Sequence, residues 1–373
     1  MAKSKPHILI VDDKPDTVSP LSIEIGTKKR ADVRCCRPDE VDTEGIKWAH
    51  LVLVDLDLEE CSLGENIPLC CRARDGIALA SVLRQHLRPK KDDPPTAFAL
   101  LTGKIGTLAD PLPPQHARHL LAPMHNLEWV FLKNDKRLAD QVAILADAVM
   151  RIPSDWADGI QSAEEICGPL GLKKNDRVFE RYQQDVEECH PPVYEFSQWT
   201  HGLAIVRWLL HRILVYPCFL WDEFRLAARL RLDPEDLAKT LGKKAGLWEG
   251  LHKHQYKGLL REFSGPRWWK SGVEMMVWDL TSGDPQNADL LRKKLSNLAG
   301  RNLKPSASDH PVVCVGKDYQ PSGTLASIDD AVRIQPDDWP TYADAAWVLK
   351  KDAKSDPIIG NLVIRDDRDR LDR

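Results

Sequence analysis

Short runs of consecutive apolar residues recur along the first 150 positions of the chain, and stretches with helical periodicity separate them. Such runs suit strands covered on both faces, and apolar residues spaced three or four apart form one face of a helix. The helical spacing is clearest at 75–87 and 135–152. The strand-like runs lie at 7–11, 31–36, 50–55, 97–102 and 129–133. Strand and helix therefore alternate, which predicts an α/β domain at 1–150 with a (βα)5 fold and a five-stranded parallel sheet.

The pattern changes after residue 150. Residues 151–190 predict connecting helices, and 191–304 keep a helical period while they contain seven of the 12 tryptophans. Between 196 and 304 the chain has 18 Lys and Arg against 11 Asp and Glu, although its net charge as a whole is −4. Residues 305–373 mix strand-like runs with helix-like ones at 327–332 and 342–354 and end in a charged tail. We therefore expect a mainly α-helical, basic domain at 191–304 and a small α+β segment at 305–373.

The longest apolar run, at 203–221, contains several residues that are costly in a bilayer: Arg207, His211, Arg212 and Pro217. It predicts a buried core helix, and no membrane partner is expected. The first residues lack the apolar core of a signal peptide. Nine cysteines without a CxxC pair are typical of free thiols in a reducing compartment, so a cytoplasmic location is expected.

Acidic residues end two of the predicted strands. Asp12 and Asp13 follow the first strand, and Asp55 ends the third. Because the carboxyl ends of parallel strands meet at one edge of a sheet, the three carboxylates are expected to converge and to need a neutralising cation. Oxygen ligands in a partly hydrated site favour Mg²⁺. A carboxylate beside Mg²⁺ can attack a phosphoryl group, whose charge Thr102 and Lys133, at two further strand ends, would stabilise.

Four short motifs hold these residues in a fixed order: "VDD" with Asp12 and Asp13, "LVDLD" with Asp55, "LLTG" with Thr102 and "FLKND" with Lys133. Together they resemble the receiver domain of bacterial two-component response regulators over residues 7–150. The resemblance implies a flavodoxin-like fold in which Asp55 is the phosphoacceptor. It also implies that Asp13 binds Mg²⁺ directly, Asp12 through water, and Asp57 through its backbone carbonyl. Thr102 would hydrogen-bond the phosphoryl group, and Lys133 would pair with it.

Three features depart from the family pattern. A long insert at 59–74 separates the phosphoacceptor from the "DG" pair that opens the next helix. The aromatic that usually lies three positions before the lysine is Val130, and Asn134 stands where the family favours a cis proline. A second long loop lies at 103–126, and we expect both loops to reshape a partner surface. Metal binding within the loops is a weaker alternative and would draw on these side chains: His116, His119 and His125, or Cys61, Cys70 and Cys71.

The helical half contains no phosphate-binding loop, metalloprotease motif or nucleophile elbow. Enzyme activity beyond self-phosphorylation and dephosphorylation is therefore not expected. Near 233–260, a helix that starts at Asp233 and Pro234 is followed by a break at Gly242 and a second helix, as in a helix-turn-helix. Its DNA contacts would come from four lysines: Lys243, Lys244, Lys253 and Lys257. Two packed helices joined by a glycine turn give the same pattern without DNA.

The leading hypothesis from the sequence is a cytoplasmic response regulator that a sensor histidine kinase or phosphotransfer protein phosphorylates on Asp55. It would signal through contacts of its helical half with protein partners, including a phosphorylation-dependent homodimer. One alternative is a DNA-binding transcriptional regulator. Another is a phosphate sink, an adaptor or a receiver-controlled effector. The neighbouring Cys189 and His190 are not expected to form a nucleophile and base, because adjacent side chains rarely face each other.

Overall fold

The computed structural model of this 373-residue chain describes residues 4–28, 30–58, 73, 75–87, 95–103, 105–106, 117–153, 156, 162–174, 178–193, 202–242, 246–316, 320–336 and 339–372. The chain forms two compact units, each assembled from several stretches of sequence. The first unit contains Met1–Gly171, Pro191–His211 and Gly258–Ser264, and the second contains Leu172–His190, Arg212–Lys257 and Gly265–Arg373. The domain boundaries expected from the sequence, at 150, 190 and 304, stay predictions.

The first unit is built on a five-stranded parallel sheet. Its elements are β1 (His7–Val11), α1 (Pro15–Thr27), β2 (Asp32–Cys36), α2 (Thr43–Trp48), β3 (Leu51–Asp55), α3 (Gly76–Leu87), β4 (Ala97–Thr102), α4 (Ala117–Met124), β5 (Trp129–Leu132), α5 (Leu138–Met150) and α6 (Ala163–Cys167). The strand order is β2-β1-β3-β4-β5, which is the flavodoxin-like order. The predicted (βα)5 fold is confirmed, and each strand boundary lies within one residue of its prediction.

The apolar runs become strands because both faces of the sheet are covered. Every residue of β3 and β4 is buried. On one face, Val52 and Val54 of β3 and Phe98 of β4 belong to the same buried cluster as Leu79 and Leu83 of α3. Burial of a side chain of this size stabilises a fold by about 1.5–3 kcal/mol, so the centre of the sheet is a rigid platform for the residues at its edge.

Two stretches from the second half of the sequence complete the first unit. One is α8 (Leu203–Trp208), which continues into a π-helical turn at Leu209–Ile213. The other is Gly258–Ser264, whose Phe263 is 1% exposed and packs edge-on against Trp129 of β5, with ring centroids 5.2 Å apart. The apolar run at 203–221 is thus buried as predicted, but its α-helix is only six residues long. None of the helices in the described ranges is both long and apolar enough to span a membrane.

The second unit is mainly helical up to residue 299, and a mixed four-stranded sheet and three short helices follow. Its elements are α7 (Phe179–Glu188), β6 (Leu220–Trp221), α9 (Glu223–Leu230), α10 (Pro234–Leu241), α11 (Leu247–Lys253), β7 (Trp268–Trp269), α12 (Lys270–Leu280), α13 (Ala288–Ala299), β8 (Pro311–Val315), β9 (Pro321–Ser327), β10 (Ala331–Ile334), β11 (Ala346–Leu349), α14 (Lys350–Ser355), α15 (Pro357–Asn361) and α16 (Arg368–Asp372). The order of the four-stranded sheet is β10-β11-β8-β9, and β6 pairs with β7.

The predicted change from helices to a small α+β segment is confirmed. The prediction that 327–332 and 342–354 are helical is partly wrong. The stretches at 327–332 and 342–354 contribute β10 and β11, which pair antiparallel with Val332 opposite Val348. Both valines are buried. Cross-strand packing therefore outweighs the local helical pattern, because strand propensity depends mainly on what a side chain packs against.

Candidate functional site

The register of the parallel sheet brings the carboxyl ends of four strands to one edge. It pairs Val11 with Val54, Asp55 with Leu101, and Thr102 with Leu132. Asp55 and Thr102 are the last residues of β3 and β4, and the other predicted residues follow β1 and β5 directly. Five residues predicted from the sequence therefore lie at the same edge: Asp12, Asp13, Asp55, Thr102 and Lys133.

Three carboxylates meet at the centre of this edge. Asp12, Asp13 and Asp55 each place a carboxylate oxygen within 4.8 Å of the others, and the three residues are 1%, 5% and 5% exposed. Within the described ranges, no other group of three His, Cys, Asp or Glu side chains is close enough to share an ion. Buried carboxylates at this separation repel one another, and their oxygens are the ligands that Mg²⁺ prefers. The donor set therefore fits the predicted magnesium ion.

Lys133 supplies positive charge to the carboxylates. Its Nζ lies 2.9 Å from Oδ1 of Asp55 and 3.4 Å from Oδ2 of Asp12. Burial raises the pKa of Asp55 to about 6, although the ion pair with Lys133 limits the rise. Burial also disfavours the charged form of Lys133, but its contacts with Asp55 and Asp12 outweigh this effect and raise its pKa. The ammonium is therefore charged at neutral pH and joins two of the three carboxylates.

Backbone groups fix the positions of the remaining site residues. The N–H of Lys14 donates to Oδ1 of Asp12 at 2.8 Å, which orients that carboxylate at the start of α1. Thr102 is 1% exposed, and its carbonyl oxygen accepts the N–H of Lys133 at 2.9 Å. Asp57 lies two residues after β3 and is half-buried. The role of its carbonyl oxygen in metal binding stays a prediction.

Gly76 holds the start of α3 directly against the end of β3. Its N–H donates to the carbonyl oxygen of Leu56 at 3.0 Å, and a Cβ at this position would lie only 1.9 Å from the carbonyl oxygen of Asp55. Only glycine permits this approach. Asp75 caps the helix through the N–H of Ala78 at 2.8 Å. The helix therefore begins beside Asp55, although most of the insert between them, 59–72 and 74, lies outside the described residues.

Glu128, whose side chain is 0% exposed, was not among the residues predicted from the sequence. Its carboxylate accepts a hydrogen bond from Nη2 of Arg84 in α3 at 3.0 Å and from Nε of Arg207 in α8 at 2.9 Å. The N–H of Phe98 also donates to it. Burial opposes ionisation, but the charges of the two arginines outweigh it and lower the pKa of Glu128. This buried ion pair joins α8 to the edge of β5 and to α3 inside the first unit.

The aromatic residues of β5 are arranged differently from the family pattern. Val130 is 6% exposed and belongs to the core. Its neighbour Trp129 stacks on His211, with ring centroids 5.6 Å apart, and also contacts Phe263. Trp129 is therefore contacted by both later stretches of the first unit.

The turn after Lys133 forms without proline. The N–H of Asp135 donates to the carbonyl oxygen of Leu132 at 3.1 Å, and across the described residues no peptide bond is cis. His125 is half-buried at the end of the second long loop. The side chains of the other residues in the alternative metal sites lie outside the described residues: His116, His119, Cys61, Cys70 and Cys71.

The predicted helix-turn-helix segment folds as two short helices, α10 and α11. Asp233 caps the first by accepting the N–H of Asp236 at 3.0 Å. The second ends at Lys253, so Lys257 does not lie on it, although both lysines are exposed. His254, directly after α11, is half-buried, and its Nδ1 is 2.9 Å from the hydroxyl of Tyr182. The remaining predicted contacts, Lys243 and Lys244, fall outside the described ranges.

Neither a protein-family model nor a curated protein sequence matches the chain. Solved structures similar to it include the following two. One is NtrX from Brucella abortus in complex with ADP, with a TM-score of 0.26 and 18% identity over 51% of this chain and 35% of NtrX. The other is RcsB from Salmonella enterica serovar Typhimurium bound to a promoter in the presence of the phosphomimetic BeF3⁻, with a TM-score of 0.24 and 14% identity over 79% of this chain and 98% of RcsB.

The chain thus spans about a third of the length of NtrX. Strand order and register define the fold of the first unit independently of these matches. A parallel sheet of order 2-1-3-4-5, with an acidic group at the carboxyl ends of β1 and β3, is the flavodoxin-like arrangement expected from the sequence.

Proposed function

We propose that this chain is a response regulator whose first unit accepts a phosphoryl group on Asp55. Mg²⁺ would be held by Asp12, Asp13, Asp55 and the carbonyl oxygen of Asp57. The observation that carries the proposal is the cluster of three nearly buried carboxylates within 4.8 Å of one another, with Nζ of Lys133 only 2.9 Å from Asp55. A structural ion pair needs one carboxylate per lysine, whereas this cluster has an excess of negative charge that suits a divalent cation.

The reaction follows from the chemistry of a carboxylate nucleophile. An oxygen of Asp55 attacks the phosphorus of a phosphohistidine in the kinase or phosphotransfer protein. The P–N bond breaks, its electron pair stays on the imidazole, and an acyl phosphate forms. Bound Mg²⁺ would neutralise charge on the phosphoryl oxygens. Lys133 would move from Asp55 to a phosphoryl oxygen, and the hydroxyl of Thr102 would hydrogen-bond another.

The experiment is phosphorylation of the full chain by acetyl phosphate with and without Mg²⁺, followed by intact mass. A hydroxylamine-sensitive gain of one phosphoryl group is expected with Mg²⁺, and Asp55→Asn should abolish it. Asp147→Asn is the matched control, because the side chain of Asp147 on α5 is 46% exposed and pairs with Arg151, outside the proposed site. Equal phosphorylation of wild type and Asp55→Asn would contradict the proposal, as would modification that does not require Mg²⁺.

The proposed output is a change in protein contacts, including a phosphorylation-dependent homodimer, in the cytoplasm. Sizing by light scattering with and without BeF3⁻ and Mg²⁺ tests the homodimer, which should be absent in Asp55→Asn. DNA binding stays the alternative prediction, supported by the exposure of Lys253 and Lys257. A salt-dependent gel shift that weakens in Lys253→Ala/Lys257→Ala, but not in Lys239→Ala on α10, would support it.

A further inference from the structure

Two cysteines that are far apart in the sequence come together in the second unit. Cys189 follows α7, and Cys218 precedes β6. They are 4% and 3% exposed, and their thiols are hydrogen-bonded to one another. Both line one side of an open cavity of about 530 Å³. The pair is thus shielded by protein but faces a space that a small molecule can enter.

The surroundings of the two thiols make them unequal. Burial opposes ionisation of Cys218, but the thiol of Cys189 and the backbone N–H groups of Leu220 and Phe219 stabilise its thiolate and lower its pKa. The pKa of Cys189 is raised, because its thiol donates to Cys218 and because it is buried. In its protonated form Cys218 donates to the carbonyl oxygen of Ile213 at 3.5 Å. Cys218 is therefore the first of the pair to ionise.

The side chains around the cavity carry charges of both signs. Arg181 and Lys270 line it together with three carboxylates, those of Asp185, Glu188 and Glu274. His190, which neighbours Cys189 in sequence, is exposed and packs edge-on near Tyr342, with ring centroids 6.2 Å apart. The thiol of Cys189 therefore interacts with that of Cys218, which lies far from it in the sequence.

We propose that Cys189 and Cys218 form a reversible disulfide by exchange with a low-molecular-weight disulfide. The thiolate of Cys218 attacks one sulfur of that molecule, which releases one thiolate and leaves a mixed disulfide on Cys218. The sulfur of Cys189 then attacks Cys218, loses its proton to solvent and expels the second thiol. The protein dithiol is oxidised to a disulfide, and the small disulfide is reduced to two thiols. This inference does not depend on phosphorylation of Asp55.

The disulfide would close a loop that includes residues of the first unit. Between the two cysteines lie the 28 residues from His190 to Pro217, and they include the Pro191–His211 stretch that belongs to the first unit. That stretch carries Arg207, which binds the buried Glu128. A covalent bond at the base of the loop limits the conformations open to it when these contacts break. The proposed disulfide is therefore a redox-sensitive crosslink between the two ends of the segment that contains Pro191–His211.

The experiment treats the reduced full chain with glutathione disulfide, blocks remaining thiols with N-ethylmaleimide and maps the peptides by mass spectrometry. A cross-linked Cys189–Cys218 pair is expected in the wild type. Cys189→Ser should instead accumulate glutathione on Cys218, because the second step has no thiol. Cys314→Ser is the matched control, since Cys314 is also buried, and it should leave the cross-link unchanged.

A measurement on the unmutated protein covers the case in which a variant fails to fold. Burial raises the pKa of Cys314 to about 11, whereas that of Cys218 is below its ordinary value of 9.0. Cys218 also lines the open cavity, whereas Cys314 is 2% exposed in β8, so Cys218 should be alkylated faster than Cys314 at neutral pH. Equal alkylation rates would overturn the proposal, as would a disulfide map in which Cys189 and Cys218 stay reduced.

Discussion

Replacing Glu128 with Gln would remove a negative charge from a side chain that is 0% exposed while nearly keeping its shape. The side chains of Arg84 and Arg207 are only 23% and 26% exposed, so both guanidinium groups would lose their buried counter-ion. Removing one member of a buried ion pair typically costs 3–5 kcal/mol. The amide oxygen of Gln can still accept one hydrogen bond, so we expect the first unit to be destabilised by about 3 kcal/mol.

Native-state hydrogen exchange is the suitable assay because two compact units need not unfold together. A loss of about 3 kcal/mol corresponds to roughly 150-fold faster exchange of the slowest amides of β4 and β5. Asp140→Asn is the matched control. The side chain of Asp140 is 35% exposed and pairs with Lys28 on the surface, so we expect a loss of less than about 1 kcal/mol. Equal exchange in the two variants would refute the reasoning that the buried charge stabilises this unit.

The same ion pair predicts a dependence on pH. Burial alone would raise the pKa of Glu128, but Arg84 and Arg207 lower it below the ordinary value of 4.5. A depressed carboxyl pKa contributes stability that is fully present above the unfolded value and is lost as the pH falls through the folded value. The difference between wild type and Glu128→Gln should therefore be complete at neutral pH and shrink below about pH 4.5. A difference that persists unchanged at pH 3 would contradict this origin.

Three further predictions concern other parts of the chain. Gly76→Ala should destabilise the first unit by about 1–3 kcal/mol in thermal unfolding and slow phosphorylation by acetyl phosphate, because its Cβ would overlap the carbonyl oxygen of Asp55. Gly103→Ala should do neither, because no atom lies within 4 Å of the Cβ that it would add. Because the pKa of Asp55 is about 6, its proton competes with the cation, and Mg²⁺ affinity measured by calorimetry should fall about tenfold per pH unit below that value, but not in Asp55→Asn. In the second unit, the side chain of Arg333 lowers the pKa of Asp367 to about 2. The stability that this pair contributes should therefore be lost as the pH falls from about 4 toward 2. Identical acid unfolding of β10 in Asp367→Asn and in the wild type would rule this out.

The receiver-like sheet could be predicted because its signals are local. Each strand is an apolar run, and the parallel topology requires the carboxyl ends of β1, β3, β4 and β5 to meet. Once the topology is assigned, Asp12, Asp55 and Lys133 must lie near one another. The "DG" pair was predicted to open α3, but only the structure reveals that Gly76 touches Asp55 directly.

Contacts between residues distant in sequence could not be predicted in the same way. Glu128 looks like an ordinary surface carboxylate in the stretch "NLEWV", because its arginine partners are 44 and 79 positions away. Likewise, the pairing of Cys189 with Cys218 depends on a chain excursion of 28 intervening residues. Nothing in the local pattern of either stretch distinguishes these partners from the other arginines and cysteines of the chain.

The sequence by itself therefore determined the strands of the first unit and the five residues at its edge, because apolar runs and parallel topology fix them. Only the tertiary structure decided that Pro191–His211 and Gly258–Ser264 belong to that unit. Their assignment depends on Phe263 packing against Trp129 and on Arg207 reaching Glu128. Such contacts exist only after the chain has folded back on itself, so the local pattern of apolar and polar residues does not predict them.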